Sequence, residues 1–254
     1  MQEETQTATP EITLPTAKQN TLVKDLMIPV SIVLAGIFIG AGLYFGGTPT
    51  SNVANQPVAV EEKEVDNTGK INPITTDEHI KGNPDAPIKI VEYSDYDCPF
   101  CSRYHDVMNA IIEKNGNDVA WVFRQFPLEQ LHPNAPAVAL ASECVALLGG
   151  NDAYWKFTDD YFAARGAGDK TAHNELIPKL VIAAGVQPTT FAKCFDNAET
   201  AAAVKQDMDD AIETGGRGTP WSILIGPSGK TYPINGALPQ QSIEQLIEIA
   251  KKEA

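Results

Sequence analysis

The sequence is short of positive charge, and that shortage narrows its partners first. Its 19 lysines and arginines face 33 aspartates and glutamates, a net charge of −14 over 254 residues. Nothing here would neutralise a run of phosphates, which excludes nucleic acid as a partner. Candidate metal ligands are also few. There are 4 cysteines and 4 histidines, with one Cys-x-x-Cys pair at Cys98 and Cys101 and neither a second pair nor clustered histidines to complete four ligands. His105 follows at a workable spacing, so a zinc site stays open as an alternative. An even number of cysteines suits an oxidising compartment.

Long apolar stretches are missing too, except one. From Leu26 to Gly46 no residue is charged, enough to cross a bilayer as a helix. No clean small-x-small cleavage site follows Tyr44-Phe45, so an uncleaved anchor is expected rather than a removed signal peptide. The expected organisation is a disordered cytoplasmic tail at 1–24, a single transmembrane anchor at 25–46, a linker at 47–70 and a folded domain at 71–254. Lys18 and Lys24 precede the span, while Lys63 beyond it sits among glutamates. That asymmetry places the tail in the cytoplasm and the domain on the extracytoplasmic face of the cell membrane.

What is present centres on Cys98-Pro99-Phe100-Cys101. The β-branched run from Ile88 to Ser94 reads as a buried strand, and Met108, Ile111 and Ile112 behind the cysteines form a helical stripe. The pair therefore sits where a strand turns into a helix, with Pro99 suited to the first helical position. Unpaired N–H groups and the positive helix end stabilise an anion there, so Cys98 is expected to be the nucleophile and Cys101 the resolving thiol. Asp97 next door opposes the thiolate. Two inert cysteines are the plain alternative.

Val119–Phe123 reads as a second strand, parallel to the first across the helix. Helical spacing then runs from 134 to 214, broken at Gly149-Gly150, with Tyr154, Trp155, Phe157, Tyr161 and Phe162 as core aromatics of one helix. Strands at 221–225 and 230–234 form a hairpin, with Pro233 marking the edge, and an amphipathic helix at 242–251 closes the chain.

The stretch Glu92-Tyr93-Ser94-Asp95 ahead of the cysteine pair, with Gly218-Thr219-Pro220 far downstream, resembles the DsbA-type thiol:disulfide oxidoreductases over about residues 71 to 253. The resemblance implies an α/β thioredoxin fold with an inserted helical domain. It implies an enzyme whose Cys98–Cys101 pair introduces disulfides into exported proteins. Its partners would be reduced or unfolded exported chains and a membrane reoxidant of the DsbB or VKOR type, with no metal or organic cofactor. In that family the Thr219-Pro220 bond would be cis and lie against the disulfide, leaving Thr219 to orient the client. Glu92 would be the buried glutamate beneath the disulfide, relaying the proton of Cys101, or else a structural partner of Arg124. Pro99-Phe100 departs from the Pro-His of the best-known oxidase, and Phe100 adds no positive charge. Disulfide isomerase or thioredoxin-like reductase is the alternative on the same scaffold, and a non-redox client-binding module the alternative of another class.

Cys144 and Cys194 lie on two helices of the insert without redox spacing, and a structural disulfide between them is expected, against two buried thiols. His132 is expected to orient the start of the insert.

Overall fold

A computed structural model describes residues 68–195 and 198–253. The tail, the anchor at 25–46 and nearly all of the linker lie outside the described residues. Among the described residues no helix is long and apolar enough to cross a membrane. A 3-10 turn at Thr68–Lys70 leads in, its Thr68 hydroxyl 2.7 Å from that of Thr231.

Five strands make one sheet: β1 His79–Gly82, β2 Ile88–Ser94, β3 Val119–Gln125, β4 Trp221–Ile225 and β5 Thr231–Asn235, in the order β1-β3-β2-β4-β5. β2 and β3 run parallel, linked by helix α1 Pro99–Asn115, and the other pairings are antiparallel. Every residue of β3 is buried, as a central apolar run requires. β1 was not legible in the sequence. Four residues ending in Gly82, at φ +93, carry too little alternation to announce a strand. On its outer side the Ile80 N–H donates to Asn151 Oδ1 at 3.1 Å, and Asn151 Nδ2 donates to the Ile80 carbonyl at 2.8 Å. At the opposite edge, β5 carries Pro233.

Between β3 and β4 the chain forms α2 Ala135–Gly166, α3 His173–Ala183, α4 Pro188–Cys194 and α5 Ala198–Glu213, and α6 Gln240–Lys252 ends the domain. This is a thioredoxin-like α/β fold with a helical insertion. The break expected at Gly149-Gly150 is a kink rather than a loop, made by Gly150 at φ 76. A Cβ on Gly149 would stand 2.5 Å from that of Ala153, so glycine is required for the two halves to abut. A disulfide joins Cys144 of α2 to Cys194 of α4, Cα to Cα 5.7 Å.

Alternation along β2 divides the polar residues between two faces. Val91 and Tyr93 pack with Val122, Trp221, Ile223 and Ala211 of α5. Glu92 faces the other way, beside Cys101 and Tyr104 of α1. The expected core aromatics interlock: Tyr96 stacks on Phe162 at 5.2 Å and meets the edge of Tyr161 at 5.3 Å.

Candidate active site

Cys98 is the N-cap of α1, with extended backbone (φ −76, ψ 120), and Pro99 occupies the next position. No side chain caps this helix end, which leaves its first N–H groups to the sulfur. Asp95 shapes the approach. Its Oδ1 accepts the Asp97 N–H at 2.8 Å, while its Oδ2 accepts the Leu128 N–H at 2.7 Å and lies 2.9 Å from His132 Nδ1. His132 thus ties the loop before the insert to the turn before the cysteines.

Both cysteines are free thiols, Cys98 4% exposed and Cys101 fully buried. Their acidities diverge. A hydrogen bond from the Cys101 thiol lowers the Cys98 pKa to about 5, against the opposing effect of burial and with help from Thr219 and the N–H groups of Cys101 and Phe100. Burial, then the hydrogen bond to Cys98 and the charge of Glu92, pushes Cys101 well up. In the thiol form, Cys98 Sγ donates to the Thr219 carbonyl at 3.5 Å, and the Asp95 N–H reaches Cys101 Sγ at the same distance. The Thr219-Pro220 bond is cis. The structure therefore brings Cys98, Cys101, Glu92, Thr219 and Pro220 together.

Glu92 is fully buried, and neither carboxylate oxygen has a hydrogen-bond partner among the described residues. Burial pushes its pKa up to about 8, with Ser94 and Trp121 opposing. The expected alternative, a pair with Arg124, does not form. Register places Glu92 opposite Phe123, and Arg124 opposite Tyr93 on the far face. There Arg124 bonds Glu78 and Asp210, each at 2.5 Å, and the Tyr93 hydroxyl at 3.3 Å. Four hydroxyl and indole groups near Glu92 were missed from the sequence: Ser94, Tyr104, Trp121 and Ser222, each with a buried polar atom unpartnered among the described residues. Ser94, Trp121 and Ser222 share one sheet face with Glu92 through register, and Tyr104 meets it from α1, which no local signal announces.

Phe100 is 54% exposed, with the Arg103 guanidinium 4.7 Å above its ring. His105, the residue that kept the zinc alternative open, is held 2.8 Å from Asp159 and packs against Trp121 and Phe162. Cys144 and Cys194 lie in the insert, bonded to each other and apart from the dithiol.

Residues 75–248 match the family model described as thioredoxin. The chain belongs to the thioredoxin family. Solved thioredoxin-fold neighbours include DsbA2 of Pseudomonas aeruginosa, 24% identical with a TM-score of 0.57, covering 70% of this chain and 96% of that one. Alpha-DsbA1 of Wolbachia pipientis is 20% identical with a TM-score of 0.62, covering 73% and 96%. Oxidised BdbD of Bacillus subtilis is 24% identical with a TM-score of 0.58, covering 71% and 96%. Among curated relatives, the Na(+)/H(+) antiporter NhaA 1 of Mycolicibacterium gilvum (strain PYR-GCK) is 44% identical over 85 residues, 34% of this chain and 13% of that protein. The antiporter NhaA of Herminiimonas arsenicoxydans is 24% identical over 175 residues, 69% of this chain and 26% of that protein. The chain spans only these small shares of the antiporters it matches, and ion transport is not carried over from them. Within this thioredoxin-family domain, a dithiol of opposed acidities on a helix N-terminus is equipped for thiol–disulfide exchange.

Proposed function

We propose that the protein introduces disulfides into exported proteins from a single-pass membrane anchor at 25–46, its catalytic domain facing outside the cytoplasm. The observation that carries this direction is the split in thiol acidity, Cys98 down to about 5 and Cys101 well up. A stabilised Cys98 thiolate favours the reduced enzyme, so the disulfide form is driven to accept electrons.

In this reading a client thiolate attacks Cys98 Sγ, and the Cys98–Cys101 bond breaks with its electron pair on Cys101. Cys101 takes a proton, and Glu92, carrying one at neutral pH, stands beside it as the donor. The client's second thiolate then attacks the client sulfur of the mixed disulfide and expels Cys98 as a thiolate. The client has lost two electrons and the enzyme holds them. Thr219 would align the client backbone beside the sulfur. Exposed Phe100 and Leu131, on the turn and loop that Asp95 ties together, offer apolar contact to unfolded chains. A DsbB- or VKOR-type membrane protein would return the pair to the disulfide.

The test is the equilibrium reduction potential of the Cys98–Cys101 pair against glutathione. A value near roughly −120 mV is expected, and one near roughly −270 mV would replace disulfide donation with reductase or isomerase work.

A further inference from the structure

Asp97 precedes the nucleophile directly, and a carboxylate there disfavours a thiolate. The insert takes hold of it. Asp97 Oδ1 accepts the Tyr161 hydroxyl at 2.6 Å, and His173 Nε2 lies 2.9 Å from each carboxylate oxygen. Tyr161 comes from α2, and His173 is the first residue of α3.

The turn between those helices is fastened so as to deliver His173. Arg165 Nη1 donates to the carbonyls of Asp169 and Thr171, at 2.9 and 3.0 Å, and Arg165 Nε reaches the Tyr161 hydroxyl at 3.3 Å. Asp169 Oδ1 in turn accepts the N–H and hydroxyl of Thr171, at 2.8 and 2.6 Å. Burial pushes Asp97 up, but the His173 and Tyr161 hydrogen bonds, with the charges of His173 and Arg165, hold it below the usual carboxylate range. Asp97 is thus an anion whose charge is met on the insert side, through contacts that separate 64 and 76 residues in sequence.

We propose that His173 is a positioning residue for the dithiol: by binding Asp97 it draws that carboxylate's opposition away from the Cys98 thiolate, so the helical insert sets the poise of the pair. This rests on Cys98–Cys101 being the redox centre. The group answered for is the charge of one aspartate, and the groups facing it are His173 from α3 and Tyr161 and Arg165 from α2.

The experiment titrates Cys98 by its ultraviolet thiolate absorbance and measures the exchange equilibrium with glutathione, in the full-length protein. The proteins compared are wild type, His173→Gln, Asp97→Asn and the double variant. With Asp97 present, His173→Gln is expected to move the Cys98 titration upward and to lower the constant for reduction by glutathione about three- to tenfold. In the Asp97→Asn background the same substitution should change neither. Tyr161→Phe, which keeps the ring in its packing, should repeat the upward shift in smaller measure. An unchanged Cys98 titration in His173→Gln, or an equal shift in the Asp97→Asn background, overturns the role. A wild-type pair that does not exchange with glutathione sinks the redox reading, while the titration still decides His173.

Discussion

Two buried polar clusters lie on opposite faces of the same sheet, and they differ in whether their charges are met. On the α5 face, Arg124 is surrounded by Glu78, Asp210 and Tyr93, each with a hydrogen bond to it. On the α1 face, Glu92 sits fully buried with neither oxygen partnered among the described residues, next to hydroxyls equally unpartnered. A paired charge fastens elements together; an unpaired carboxyl avoids its charge by holding a proton. The first cluster holds the insert to the sheet, since Asp210 comes from α5. The second keeps a carboxyl with raised pKa beside the Cys101 thiol.

The largest break in this contrast is Arg124→Met. It strands two carboxylates near the core, and the loss in unfolding free energy from urea denaturation should reach up to about 5 kcal/mol. The Cys98–Cys101 potential of the protein that remains folded should stay where it was. Replacing Cys144 and Cys194 by alanine belongs with it, as a second fastening lost, at about 4 kcal/mol by loop closure. A smaller loss there would mean that the helices of the insert hold themselves together.

Glu92→Gln tests the other face. Burial keeps Glu92 protonated in the folded chain up to about 8, whereas the unfolded chain ionises it in the ordinary carboxylate range. The folded state therefore binds more protons between those values, so stability falls as pH rises through the window and levels off above it. Asp207, raised to about 8 by burial, acts with the same sign. In the oxidised protein, whose cysteines do not titrate, Glu92→Gln should remove roughly 2–4 kcal/mol of this fall and leave the remainder. A pH profile parallel to wild type would mean that Glu92 is not kept neutral. The smallest change is expected from Tyr104→Phe, which deletes a hydroxyl without a partner among the described residues. Stability should move by under about 1 kcal/mol, and a larger loss would assign that hydroxyl to the fastened class.

The chemistry-bearing parts legible in the sequence are those written locally. Cys98, Pro99 and Cys101 declare a strand-to-helix junction within a few residues, and the β-branched runs declare the central strands. Parity could not be read so directly. Glu92 and Arg124 are both polar residues in buried strands, and the register that puts them on opposite faces depends on how β2 and β3 align. The Asp97–His173 contact was hidden for a similar reason, because a turn held by Arg165 brings together residues 76 apart. β1 escaped notice because a four-residue strand borrows its identity from its neighbours, β3 on one side and Asn151 on the other.

The clasp of Asn151 on β1 also bears on solubility. Sheet edges are templates on which foreign chains add themselves as further strands. Here the carboxamide of Asn151 occupies the backbone N–H and C=O of Ile80 that an incoming strand would seek. At the opposite margin, Pro233 lacks an N–H to offer. An open margin would let a foreign chain extend the sheet. With both margins blunted, the sheet offers little backbone for another strand to pair with.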